Sequence, residues 1–243
     1  MKYTVPGNPP EIPNNMDTNQ RIKRLEDWLS RIGGTLDRPV WDGQNFVYKE
    51  VAVKHVAYLK AIRAVSSLHA LPVLYEHGLL IDGGTIVRCI NEALSEIFFV
   101  LENYPMISSK IERFIEHFLA TEATTDEKEA HPVASRKIHS AEARIFEEQL
   151  NFSDSMRKVR NVYETFSGYV HSQYPHIMEI YGGRPENLKF NTSGVLSLEK
   201  RRFYTQLIDA TITSTELAIA LIAFKLGMND LFLEILQSLN ASD

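Results

Sequence analysis

"LIDATITSTELAIALIAF", residues 207–224, is the stretch whose reading decides the fold. It is long and apolar enough to be taken for a membrane span. It also carries Asp209, Glu216, Thr211, Thr213 and Thr215. An acidic side chain near the middle of a bilayer costs about 2.5–3.5 kcal/mol. Two such acids in one span argue instead for the central helix of a soluble bundle, with no membrane partner.

Other apolar positions fall at helical spacing on both sides of that stretch. Ile22, Leu25, Leu29 and Ile32 recur every three or four residues and predict a first helix over 19–32, stopped by Gly33 and Gly34. Val56, Leu59, Ile62, Val65 and Leu68 predict a long helix over 45–76, which Pro72 either kinks or restarts with a new turn. "HGLLIDGGT", 77–85, reads as punctuation. Ile86, Ile90, Leu94, Ile97, Phe98 and Leu101 then predict a helix over 85–102. Further helices are expected over 108–120, 134–150 and 153–174, the last capped by Ser153 or Asp154. Residues 181–200 are turn-rich and suit a short hairpin. The long apolar helix runs from 197 to 227, and an amphipathic one over 231–239 closes the series.

Residues 1–18 hold Pro6, Pro9, Pro10 and Pro13, which predicts an extended, poorly ordered arm. "TEATTDEKEAHP", 121–132, is polar without periodicity and predicts a mobile loop. No repeat or second core is evident. The expectation is one all-α domain over 19–243, a single-domain helical bundle of six to eight helices.

Composition narrows the function. A formal net charge of -5 over 243 residues excludes a general nucleic-acid binder, which needs a concentrated basic surface. Its basic clusters are short: Arg157-Lys158-Val159-Arg160 and Lys200-Arg201-Arg202. The single cysteine, Cys89, excludes an internal disulfide and fits a reducing, cytoplasmic setting. The N-terminus shows no apolar core of the signal-peptide kind. No Cys/His spacing suits zinc and no Glu-x-x-His pair suits a di-iron bundle, so neither metal nor cofactor is expected. His55, His77, His117, His131 and His139 are scattered and read as surface or core-edge residues.

Polar positions inside apolar helices stand out at two places. In "IVRCINEALSEI", 86–97, Arg88 and Glu92 lie four apart on one face. In "VYETFSGYVHS", 162–172, Tyr163, Ser167 and His171 repeat every four residues, preceded by Arg160. Together these stretches resemble a family of uncharacterised, mainly bacterial all-helical proteins. Its members carry an Arg-x-x-x-Glu helix and then a Tyr-x-x-x-Ser-x-x-x-His helix. The resemblance spans about residues 45–225 and implies Arg88, Glu92, Tyr163, Ser167 and His171 as a shared polar set, with no known reaction.

More distantly, the chain resembles the HEPN superfamily, helical domains of many prokaryotic toxin–antitoxin and abortive-infection systems. That likeness implies an HEPN-like core with long helices and a role in defence or stress. HEPN ribonucleases carry Arg, four to six residues, then His. Here Arg160 and His171 are separated by ten, and the pair that fits the spacing is Arg63 and His69.

Two functions are then open. In the first, the cluster is a site for RNA or a nucleotide. His171 exchanges a proton near neutral pH and Arg88 stabilises charge on a phosphate, the two catalytic roles. Glu92, Arg160, Tyr163 and Ser167 bind and orient the ligand. In the second, the same residues form a structural hydrogen-bond network in a non-enzymatic scaffold that contacts a partner protein. A homodimer about a twofold axis suits either.

Overall fold

The computed structural model describes residues 15–119, 133–149, 153–184, 187–195 and 198–240. The expected 121–132 loop lies outside them, as do residues 1–14 of the expected arm. Helix α1 (Asn15–Gly33) starts four residues ahead of its expected boundary. A two-residue hairpin follows, β1 (Val40–Trp41) with β2 (Phe46–Val47). Then come α2 (Val53–Leu68), α3 (Ala70–Glu76), α4 (Leu80–Leu101), α5 (Ser109–Leu119), α6 (Ser135–Gln149) and α7 (Ser155–Val170). A single turn α8 (Tyr174–Ile177) and a 3-10 turn lead into the hairpin β3 (Tyr181–Arg184) and β4 (Asn187–Phe190). Helices α9 (Leu198–Lys225) and α10 (Asn229–Asn240) complete an all-α, single-domain bundle.

Its axis is α4, which packs against α2, α3, α6, α7 and α9. Ile90, Ile97, Val100 and Leu101 of α4 are fully buried. Burying one such side chain contributes about 1.5–3 kcal/mol, so α4 alone supplies a large part of the core. On α1 the expected stripe of Ile22, Leu25, Leu29 and Ile32 is buried throughout.

The expected 45–76 helix is the second strand of the hairpin followed by two helices. The hairpin turn Asp42-Gly43 places Gly43 at φ +111°, and Asp42 accepts backbone N–H bonds from Gln44 and Asn45. Both are what a tight turn asks of those residues. Of the two alternatives at Pro72, the structure shows the new turn and not the kink. The proline sits at the third residue of α3, in the first turn, where its missing N–H is not needed. The buried face of α2 also differs, because Ile62 is exposed while Ala57, Ala61 and Ala64 are fully buried. Small side chains there let α2 lie close along α4.

Helix α9 is the one described helix long and apolar enough to span a bilayer, over Arg202–Lys225, yet most of that window is buried inside the bundle. Its polar groups are satisfied locally. Thr211 and Thr215 donate to the carbonyls of Leu207 and Thr211, one turn back. Glu216 is fully buried and bonds Arg21 of α1 at 2.8 Å. Helix α1 is also tied to α10, where Glu234 accepts from Trp28 at 2.8 Å and Arg31 at 2.6 Å.

Two glycines lock the 191–195 segment against the α3–α4 turn. Val195 N–H donates to the Gly78 carbonyl at 3.0 Å. Gly194 sits at φ +111°, and a Cβ there would fall 1.8 Å from the His77 carbonyl oxygen. "HGLLIDGGT" therefore breaks the chain only near Gly78, and Gly83 and Gly84 lie inside the first turns of α4. The absence of a Cβ at those two positions admits the rings of Tyr204 and Tyr169, respectively. Tyr204 donates to the Leu80 carbonyl and Tyr169 to Glu179.

Candidate functional site

Helices α4 and α7 run antiparallel, with Gly84 beside Tyr169 and Arg88 beside Tyr163. The Arg88 guanidinium lies 4.0 Å from the centre of the Tyr163 ring and bonds Glu92 at 2.5 Å. Arg88 is buried, whereas Glu92 is half exposed. A shielded cation over an aromatic face contributes about 2 kcal/mol, so these three residues join α4 to α7.

The other expected residues stand apart from that joint. Arg160 is exposed and pairs with Glu164 at 2.7 Å along α7. Ser167 is half buried, and its carbonyl accepts the His171 N–H. His171 is exposed at the C-terminal cap of α7. It is eight residues beyond Tyr163, about 12 Å along a helix axis. The physical reason is helical pitch: four residues turn about 400°, so a stripe spaced by four drifts about 40° per step. By His171 it has rotated off the face that carries Phe166 and Tyr169 into the core. Arg88, Glu92 and Tyr163 are brought together; Arg160, Ser167 and His171 are not.

Beside the joint is a cleft of about 320 Å³, open to solvent on one side and lined by α4, α6, α7 and α9. Arg88, Asn91, Ser95 and Phe98 of α4 line it at spacings of three and four, one per turn. His139, Glu142 and Phe146 of α6 do the same from the facing wall. Lys158, Val162 and Tyr163 of α7 and Leu217 of α9 complete it. The Phe98 and Phe146 rings meet at 5.1 Å, and His139 packs on Tyr163 at 4.4 Å.

Glu142 is the distinctive group. Its carboxylate accepts a 2.6 Å bond from the Ser95 hydroxyl and has no cationic partner among the described residues. Burial pushes its carboxyl up to about 7, partly offset by Ser95. Burial, and then the charge of Arg88, hold His139 below the usual histidine range, so it is uncharged at neutral pH. The cavity thus offers one carboxyl balanced between two protonation states, a hydroxyl, and aromatic walls. Among the described residues no group of three or more His, Cys, Asp or Glu could hold a metal ion.

The raised carboxyl has a measurable consequence. Glu142 binds its proton more tightly folded than unfolded, so stability falls as pH rises from about 4.5 to about 7. The full contribution is on the order of 3 kcal/mol. Glu142→Gln is therefore expected to match wild type near pH 4.5 and to exceed it at pH 8, by urea melts across that range. A difference that does not change with pH would remove Glu142 as the titrating group.

Glu142, His139, Ser95 and Lys158 went unselected in the sequence. Arg88, Asn91 and Ser95, and His139 and Glu142, repeat at three- and four-residue intervals, but so do the solvated positions of any helix. No family model, curated protein or solved structure matches this chain.

Proposed function

We propose that the protein binds a planar nitrogen heterocycle of the nucleobase class, with a guanine-type edge, in the cavity between α4, α6, α7 and α9. The carrying observation is the Glu142 carboxyl, which faces an apolar-walled cavity and lacks a cation. A buried carboxylate is costly unless donors meet it. Two parallel N–H groups, such as N1–H and the exocyclic amine of guanine, meet both of its oxygens at once. Phe98 and Phe146 supply the faces for a flat ring. A volume near 320 Å³ is at the small end of ligand pockets, which suits a base or nucleoside rather than a polymer. On this reading the protein serves as a nucleotide-responsive component of a prokaryotic defence or stress system, the setting its family resemblance implies.

A structural network is favoured for Arg88, Glu92 and Tyr163, which are committed to one another. It does not account for Glu142, which serves no helix contact except through Ser95.

Titration calorimetry with guanosine, adenosine, cytidine and uridine tests the proposal. Guanosine is expected to bind best, and about tenfold more tightly at pH 8 than at pH 6, as the ionised fraction of Glu142 rises from about one-tenth to nine-tenths. Glu142→Gln is expected to weaken it at least about tenfold. Binding of guanosine unchanged by Glu142→Gln, or no binding of any nucleoside, overturns the proposal.

A further inference from the structure

We infer that the ligand carries an anionic group, a phosphate on a nucleoside, held by Lys158; this rests on the nucleobase reading of the cavity. Three cations cluster in Arg157-Lys158-Val159-Arg160. Arg157 is neutralised by Asp154 at 2.9 Å and Arg160 by Glu164 at 2.7 Å. Lys158 has no acidic partner among the described residues, and it is the one of the three that lines the cavity. The exposed ammonium end of this long side chain stays in water while the residue borders the apolar wall.

The charges are arranged along the cavity in order. Phe98 meets Phe146 and Ser95 meets Glu142, so α4 and α6 run parallel there. Tyr163, with His139 against it and Arg88 beneath it, marks one end. Lys158 is five residues before Tyr163, about 7.5 Å back along α7, which puts it toward the Phe146 end. Arg88 is already held by Glu92 and Tyr163, which leaves Lys158 as the cation free to meet a ligand. It also lies in the first turn of α7, where the helix dipole adds to its charge. A base bonded to Glu142 with its sugar directed along the cavity would present a 5′-phosphate to this end. A carboxylate and a lone ammonium a short way apart are complementary to a ligand with a donor edge and an anionic tail, and to neither a neutral base alone nor free phosphate.

Calorimetry at pH 8 with guanosine, guanosine 5′-monophosphate and inorganic phosphate tests this on wild type, Lys158→Gln and the control Arg157→Gln. The monophosphate is expected to bind about tenfold more tightly than guanosine at low salt, with the advantage shrinking as salt is raised. Lys158→Gln is expected to abolish that advantage, so that guanosine and its monophosphate bind equally, while Arg157→Gln preserves it. Equal binding of guanosine and its monophosphate overturns the inference and leaves the nucleobase reading standing. So does an equal loss in Lys158→Gln and Arg157→Gln, which would mean diffuse charge. Inorganic phosphate bound as tightly as the monophosphate also overturns it. If no nucleoside or nucleotide binds, both fall together.

Discussion

Replacing Arg21 with alanine is expected to destabilise the protein by about 3–5 kcal/mol, the cost of leaving a buried charge without its partner. Arg21 and Glu216 are both buried, and the guanidinium reaches the carboxylate through Nη2 at 2.8 Å and Nε at 3.4 Å. Thr213 accepts a further bond at 3.0 Å, and Asp209 approaches to 3.6 Å. Removing the arginine leaves a carboxylate with no access to water inside an apolar helix. At about 2–4 °C per kcal/mol for a chain of this size, the melting temperature should fall by about 6–20 °C. Glu216→Ala should cost about as much. The double variant Arg21→Met with Glu216→Leu should recover most of the loss, because apolar residues of similar volume often replace a buried pair at no net cost. A single variant within 1 kcal/mol of wild type, or a double variant as unstable as the two losses summed, would show that the pair is not a coupled buried unit.

Gly84→Ala is expected to destabilise the protein, although the position lies within a helix. Its Cβ would fall 2.4 Å from Cγ of Tyr169, against ring atoms rather than a flexible chain end. The ring has little room to retreat: Phe166 stacks on one side at 5.9 Å and His176 meets it edge-on at 4.3 Å. The Tyr169 hydroxyl is further held by Glu179 at 2.8 Å. Overpacking of this kind costs about 1–3 kcal/mol and occasionally more. Helix propensity acts the other way, since alanine in a helix is favoured over glycine by about 1 kcal/mol. The sign therefore depends on the ring. Gly84→Ala should destabilise wild type and stabilise a Tyr169→Ala background, as read by chemical denaturation of all four proteins. The same sign in both backgrounds would mean that Tyr169 is not what the glycine accommodates.

The helices were legible because each buries one face, so their apolar residues repeat at the pitch of the helix. The stripe on α1 follows from spacing alone, and the burial of α9 follows from its long apolar run with acids inside it. The hairpin β3–β4 was also announced by its turn residues. The first hairpin was legible in principle, with Asp42-Gly43 between Val40-Trp41 and Phe46-Val47, but a helix drawn from residue 45 took in its second strand and hid the pairing. Gly83 and Gly84 misled because their cause lies far along the chain, in Tyr204 and Tyr169. The joint of Arg88 with Tyr163 was anticipated as a contact between two polar stripes, and a spacing of four gave the right entry point. It gave the wrong extent, because that spacing drifts around the helix before it reaches His171. The cavity itself depends on Glu142, and an isolated glutamate in "AEARIFEEQ" looks like any solvated helix position until α4 is packed over it.

The bond between Arg21 and Glu216 joins residues 195 positions apart. During translation, at about 5–20 residues per second, the first of them leaves the ribosome about 10–40 s before the second. Through that interval α2 can cover part of the apolar face of α1, but the Arg21 cation and the part that α9 covers stay open, and any nascent-chain binding factor that shields them must let go late. Chains stopped ahead of residue 216 would keep the α9-facing part of α1 uncovered, which makes premature termination a direct route to aggregation for this protein.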